Sequence, residues 1–415
     1  MSGKKNKIKV LYVGYILQGD PGATGNTLHN IYSNCKNVQI LQYCLDYDSA
    51  FHTTQLNTVY LSRHRSAVFS ILKDIYRKKN RTIENNRGES VSSHQQNAVV
   101  DIAKGIFDVL YKKESKESLK NIDEFRPDII LCLAENISTL KSALYFSKRY
   151  NAPIVVHVMD DIEKNIYKSK FTCIFRWQYL RLLRKTYNRS LEGIAISPKM
   201  AEEYQKRHGI PFAFAMNCIK KVYNSEAPNN MPLRVYFSGG LHGGRAEQLA
   251  HIGSILSKKF EKTIELVIFT SKANIKQYKK MLEPYYKVYE YVPQNKMFEN
   301  LAKADILLHC ESFNPEEIQY FKYSMSTKIP EYLSVGRPIL CYGPKEVCTV
   351  SYLKDNKVGV VAENEQELVS AIVQLQNNEI RKNFGKNALK VAREEYLAEK
   401  VASRVEEVFQ NNITL

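Results

Sequence analysis

Short, nearly unbroken apolar runs recur along this chain, each released into glycines or polar residues and then into a helical pattern. The first half carries IKVLYVGY (8–15), PDIILCL (127–133), PIVVHVM (153–159) and GIAIS (193–197). The second carries LRVYF (233–237), IELVIFT (264–270), DILLH (305–309) and ILCY (339–342). A strand that is apolar on both faces must be covered on both, the condition of a parallel sheet between two helical layers. After the turn-rich NSEAPNNMP (224–232) the series restarts, with strand, glycine loop and helix in the same order. The expected fold class is therefore α/β, with two Rossmann-like doubly wound domains facing one another. A length of 415 residues agrees, since it exceeds what one hydrophobic core usually supports. The expected boundaries are 1–224 for the first domain, 225–232 for the linker and 233–394 for the second domain.

Charge and cysteine usage narrow the setting. A formal charge of +17 calls for a polyanionic neighbour, and nucleic acid, an anionic membrane face and a diphosphate substrate all qualify. No RNP pair or helix-turn-helix pattern stands out, so no nucleic-acid partner is expected. No apolar run approaches a membrane span and the N-terminus lacks a cleavable signal pattern, so a cytoplasmic protein is expected. Eight cysteines are scattered singly, without CxxC or Cys/His spacing, which suits reduced core thiols and no metal.

Ligands of open α/β sheets bind beyond the carboxyl ends of strands. Two polar clusters fall there in the first half: Glu135 with Asn136, and His157 with Asp160 and Asp161. Asp160 and Asp161 are equally placed to cap the next helix, and a histidine inside an apolar strand is often a core residue. The loop after the first strand holds Gly14, Gly19, Pro21, Gly22, Thr24 and Gly25, with Asn26 and Thr27 opening a helix. It matches neither a dinucleotide fingerprint nor a P-loop. Residues 63–120 are polar and weakly periodic, with a long loop around 80–96 that reads as an acceptor-side insertion or a crossover. The stretch FTCIFRWQYLRLLRKTYNRS, from Phe171 to Ser190, combines aromatic anchors with a basic face. It reads either as a helix lying on an anionic membrane or as a packing helix with solvated arginines.

In the second half, SGGLHGGR lets Gly239 and Gly240 bring backbone close to a phosphate, and Arg245 can pair with it bidentately. The densest signal is SMSTKIPEYLSVGRPIL (324–340). Hydroxyls of Ser326 and Thr327 and the amine of Lys328 precede a short helix opened by Pro330 and closed by Gly336, an arrangement suited to a diphosphate. Glu331 can accept hydrogen bonds from a sugar diol.

The segment TKIPEYLSVGRPIL resembles the nucleotide-sugar site of GT-B-fold glycosyltransferases, especially the large retaining family that builds bacterial surface polysaccharides. The resemblance implies a metal-independent transferase without a cofactor. It would move a sugar from a nucleotide-diphosphate donor to a glycan acceptor, lipid-linked at the inner face of the membrane. It implies that Glu331 holds the ribose, that Ser326, Thr327, Lys328, Gly239 and Gly240 hold the diphosphate with Arg245 or, second to it, Lys272 as the basic residue, and that Tyr291 and Val292 meet the nucleobase. Arg245, Lys328 and His157 take catalytic roles. Gly22, Thr24, Gly25, Glu135, Asn136, His157, Asp160 and Asp161 lie on the acceptor side. It also implies that the final helix, 395–415, crosses back to the first domain. The family's second glutamate, eight positions before Glu331, is Tyr323 here, leaving Glu311, Glu316 or Glu317 to substitute. A nucleotide-sugar epimerase and a noncatalytic partner subunit share the same architecture.

Overall fold

A computed structural model of the chain describes residues 7–16, 18, 22–45, 58–60, 102, 105, 106, 108, 109, 116–223, 226–292 and 294–413. Two units divide it: Met1–Met216 with Val401–Leu415, and Asn217–Lys400.

The first unit is built on β1 (Ile8–Gly14), β2 (Val38–Cys44), β3 (Thr58–Tyr60), β4 (Ile129–Cys132), β5 (Ile154–Val158), β6 (Gly193–Ala195) and β7 (Phe212–Phe214). All pair in parallel, in the order β3-β2-β1-β4-β5-β6-β7. The second unit uses β8 (Leu233–Ser238), β9 (Ile264–Thr270), β10 (Lys287–Glu290), β11 (Ile306–Cys310), β12 (Ile339–Tyr342) and β13 (Gly359–Ala362). Their order is β10-β9-β8-β11-β12-β13, again parallel. Each sheet grows outward on both sides of its first strand, so the winding reverses between β1 and β4 and between β8 and β11. Such switch points leave a crevice at the carboxyl ends of the strands. The apolar runs become strands because both faces are covered: β4, β5, β11 and β12 are buried throughout.

Helix ends follow the local chemistry. Ser197 accepts from the Met200 N–H to cap the helix Pro198–His208, which Gly209 closes at φ 73°. Asn136 caps Ile137–Tyr150 through the Thr139 N–H.

Two expectations shift. The division falls after Met216, not at 225. Asn217 donates to the Thr327 carbonyl at 2.9 Å and Tyr223 N–H to the Ser334 carbonyl at 2.7 Å, tying this segment to the second unit. The first helix starts at Ala23, not Asn26, because Gly22 takes φ 122°, open to glycine, and its carbonyl accepts from Asn26 N–H. The C-terminal tail is broken into Glu365–Leu375, Asn378–Val391 and Ala398–Ile413. From Val401 onward the last helix joins the first unit, where Phe409 stacks on Tyr32 and Glu406 accepts from Asn37. Gly19, Pro21, Asn224, Ser225, Pro293 and residues 63–101, which include the long polar loop, lie outside the described residues.

Candidate functional site

At the switch point of the second unit, Tyr332 fastens the helix Ile329–Ser334 to the sheet. Its buried hydroxyl accepts from Ser238 N–H at 2.7 Å and faces the Ser238 and Leu308 carbonyls at 3.2 and 3.3 Å. One residue before, Glu331 is 8% exposed, and the Lys328 ammonium lies 3.5 Å from its carboxylate. The same ammonium sits 5.5 Å over the ring of Tyr291. Burial and then the Glu331 charge push the Tyr291 phenol up to about 12. Tyr291 N–H donates to the Thr270 carbonyl at 2.9 Å, and the Thr270 hydroxyl donates to the Gly239 carbonyl at 2.8 Å. The fold thus gathers Gly239, Tyr291, Lys328 and Glu331 beyond β8, β9 and β10. Together they present a cation, a carboxylate able to accept from a diol and an aromatic face, on backbone that is itself hydrogen-bonded.

Other expected residues fall differently. The helix after Lys328 is only six residues long and lacks a side-chain cap, so the positive charge here rests on Lys328. The backbone beside Ser326 and Thr327 is held by Thr349 and Asn217. Gly240 lies against His242, where a Cβ would come within 2.5 Å of the ring. Val292 is half-buried, and Lys272 is exposed in the first turn of Lys272–Leu282.

Arg245 already has a carboxylate partner. Expected to face a diphosphate, it opens the helix Arg245–Lys259 with its guanidinium 2.8 Å from Glu311 and donating to the Cys310 carbonyl. Glu311 also lies 2.9 Å from Nε2 of His309. Burial alone would raise the Glu311 carboxyl, but Arg245 and then His309 outweigh it and hold it down at about 2. The positive charge of Arg245 is already matched, and Glu311 is engaged as its partner. Sequence reasoning missed this pair, although Glu311 directly follows an apolar strand that contains a histidine.

In the first unit, Glu135 stands beyond β4 beside the switch point, accepting from Tyr15 N–H at 3.2 Å. Burial, opposed by that hydrogen bond, pushes its carboxyl up to about 7. The Tyr15 hydroxyl lies 2.6 Å from Ser138, a neighbour the sequence did not reveal. Asn136 is occupied as a helix cap.

His157 is enclosed in the sheet. Its side chain is fully buried, with Nδ1 2.9 Å from the Tyr32 hydroxyl, and burial pushes it down to about 4. In the described structure it packs as a core histidine against Tyr32. Asp161 is gripped by Arg207 at 2.8 and 2.9 Å and by the Tyr204 hydroxyl at 2.9 Å, a buried structural ion pair. Asp160 is half-buried, its carbonyl accepting from Ile162 N–H. Gly22 and Thr24 sit at the start of the first helix, and Gly25 is buried within it.

No protein-family profile matches the sequence, and no curated protein matches it. Solved structures do. The crystal structure of TarM superposes with a TM-score of 0.61 at 11% identity, covering 97% of this chain and 98% of that one. A glycosyltransferase from Rickettsia africae ESF-5 gives 0.58 at 11% identity over 99% of both chains. An S. aureus TarM mutant, solved in complex with Fondaparinux, alpha-GlcNAc-glycerol and UDP, gives 0.57 at 12% identity over 97% and 99%. The N-terminal domain of Candida albicans trehalose-6-phosphate phosphatase gives 0.60 at 12% identity over 100% and 99%. At such identities the likeness concerns the backbone, and it says that the chain has the GT-B fold, two Rossmann-like α/β units.

Proposed function

We propose that the chain is a glycosyltransferase that takes a nucleotide-diphosphate sugar as donor and a glycan as acceptor. The fold alone does not decide this, since it is shared with a protein described as a phosphatase domain. The observation that carries the reading is the grouping of Lys328, Glu331 and Tyr291 beside Gly239 at the end of one sheet. In this reading Glu331 accepts from the ribose hydroxyls and Tyr291 and Val292 border the base. Lys328, rather than a metal, meets the charge that develops on the diphosphate as the bond from sugar C1 to phosphate oxygen breaks. The acceptor oxygen forms the new bond at C1, and its proton passes to the departing phosphate oxygen, with retention of configuration. The acceptor is a lipid-linked surface glycan, and the enzyme works at the cytoplasmic face of the membrane. UDP is the first nucleotide to try, because the TarM mutant was solved with it.

Calorimetric titration with UDP, GDP, ADP and dTDP tests the donor site. The expected result is selective binding of one nucleotide, weakened at least tenfold by Glu331→Ala and by Lys328→Ala, each in a protein that still unfolds cooperatively. Binding of none overturns the assignment. A noncatalytic partner subunit is favoured by one observation, the neutralisation of Arg245 by Glu311. Release of free sugar or a transferred product from the bound donor excludes it.

A further inference from the structure

Among the described residues, the helix Cys173–Tyr187 packs by one side and leaves the other exposed. Tyr179, Leu183, Thr186 and Tyr187 are buried, and the Tyr179 hydroxyl donates to the Ala134 carbonyl at 2.8 Å. At 100° per residue these positions share one face, with Ile174, Trp177, Arg181 and Lys185 about opposite. On that outer side Ile174 is 66% and Trp177 61% exposed, and Phe171, in the turn before the helix, is 72% exposed. The stretch therefore has one packed face and one exposed face.

Solvent exposure of three large apolar side chains in a row is costly unless something covers them. Their setting points to the cover. Lys168, Lys170, Arg181, Arg184 and Lys185 are all exposed around them, and from Lys164 to Leu191 the chain contains no Asp or Glu. The apolar residues occupy the start of the helix, and most of the cations its second half. The Arg181 guanidinium lies 5.5 Å over the Trp177 ring. An uncharged apolar partner would match the apolar stripe but not the unrelieved positive border. A layer that is apolar inside and anionic at its surface matches both.

We propose that the exposed face of residues 168–185 is a docking surface for an anionic lipid bilayer, with Phe171, Ile174 and Trp177 entering the headgroup region and the cations resting on lipid phosphates. No described helix is long and apolar enough to cross a membrane, and the contact is with one leaflet. This surface stands apart from the donor-site reading, because its test measures binding and not transfer.

Trp177 is the only tryptophan of the chain, so its fluorescence reports on this face alone. The full chain is titrated with vesicles of phosphatidylcholine and with vesicles of equimolar phosphatidylcholine and phosphatidylglycerol. The expected result is a blue shift and quenching by brominated lipid with the anionic vesicles only. Replacing Arg181, Arg184 and Lys185 by Gln lowers the partition coefficient on the order of a hundredfold, with Trp177 kept as reporter. Phe171→Ser with Ile174→Ser lowers it as well. All these side chains are exposed, and an unchanged thermal transition confirms the fold. An absent shift with anionic vesicles overturns the proposal. So does an equal shift with both lipids, or a shift that grows with protein concentration without vesicles, which would mean that a second copy covers the face.

Discussion

Arg245 and Lys328 both look like diphosphate ligands in sequence, and what each already touches separates them. The Arg245 side chain is 14% exposed and paired with Glu311, itself 3% exposed, whereas the Lys328 side chain is 33% exposed and shares Glu331 at 3.5 Å. Removing one member of a buried ion pair leaves a charge without compensation, at a cost of about 3–5 kcal/mol. In the second pair the Lys328 ammonium is a third exposed, so solvent screens it, and such a pair is worth about 1 kcal/mol or less. Arg245→Ala is therefore expected to lower unfolding stability by about 3–5 kcal/mol in urea titration. Lys328→Ala should barely move it while weakening nucleotide binding. The reverse ranking would return Arg245 to the donor site. Lys328 and Glu331 were legible because they lie three residues apart in one motif. The Arg245–Glu311 pair was not, because its members are 66 positions apart and only the β8–β11 switch point brings them together. The surroundings of His157 were hidden for a related reason: an apolar strand shows that a residue is in the sheet, not that its ring lies against Tyr32.

At the scale of the element, the donor-side helix depends on how it stops. Gly336, just past Ile329–Ser334, has φ 64°, and a Cβ there would come within 2.8 Å of Leu389. Its partner Gly385 is equally confined, a Cβ there falling 2.3 Å from the Gly336 carbonyl oxygen. Gly336→Ala thus combines a disfavoured backbone with a close contact and should cost about 1–3 kcal/mol, measured as a lowered denaturation midpoint. An unchanged midpoint would show that Leu389 and the turn yield freely. The proline start, glycine stop and apolar strand of this element were readable from residue types alone. The breaks in the C-terminal tail were less so. Asn377 caps Asn378–Val391 through two N–H groups, and a π-helical turn at Ala392–Tyr396 precedes the last helix. Asparagine is common in loops and helix ends alike, and a π turn has no sequence signature as plain as glycine or proline.

For the molecule as a whole, a half-buried carboxyl and a buried histidine of the first unit oppose one another in their response to pH. Glu135 has a carboxyl raised from its ordinary 4.5 to about 7, while His157 is lowered from 6.5 to about 4. The raised carboxyl stabilises the fold fully below about 4.5, and that contribution is lost as pH climbs through 7. The neutral histidine contributes fully above about 6.5, and its share is lost as pH falls toward 4. Over the same window the slopes have opposite signs and similar size. Each contribution reaches at most about 3 kcal/mol, since a tenfold change in proton affinity corresponds to roughly 1.4 kcal/mol. The intact protein should therefore show little net pH dependence from this pair between about 4.5 and 6.5. Glu135→Gln removes one arm, so the variant should lose stability on acidification relative to the parent. His157→Gln removes the other, and its stability should decline as pH rises. Because every other titrating group is common to parent and variant, the difference between their thermal midpoints across pH isolates the pair. Parallel curves for the parent and Glu135→Gln would mean that Glu135 ionises in the fold as it does in the unfolded chain. Its place beyond β4 would then have to be explained by its hydrogen bond to Tyr15 alone.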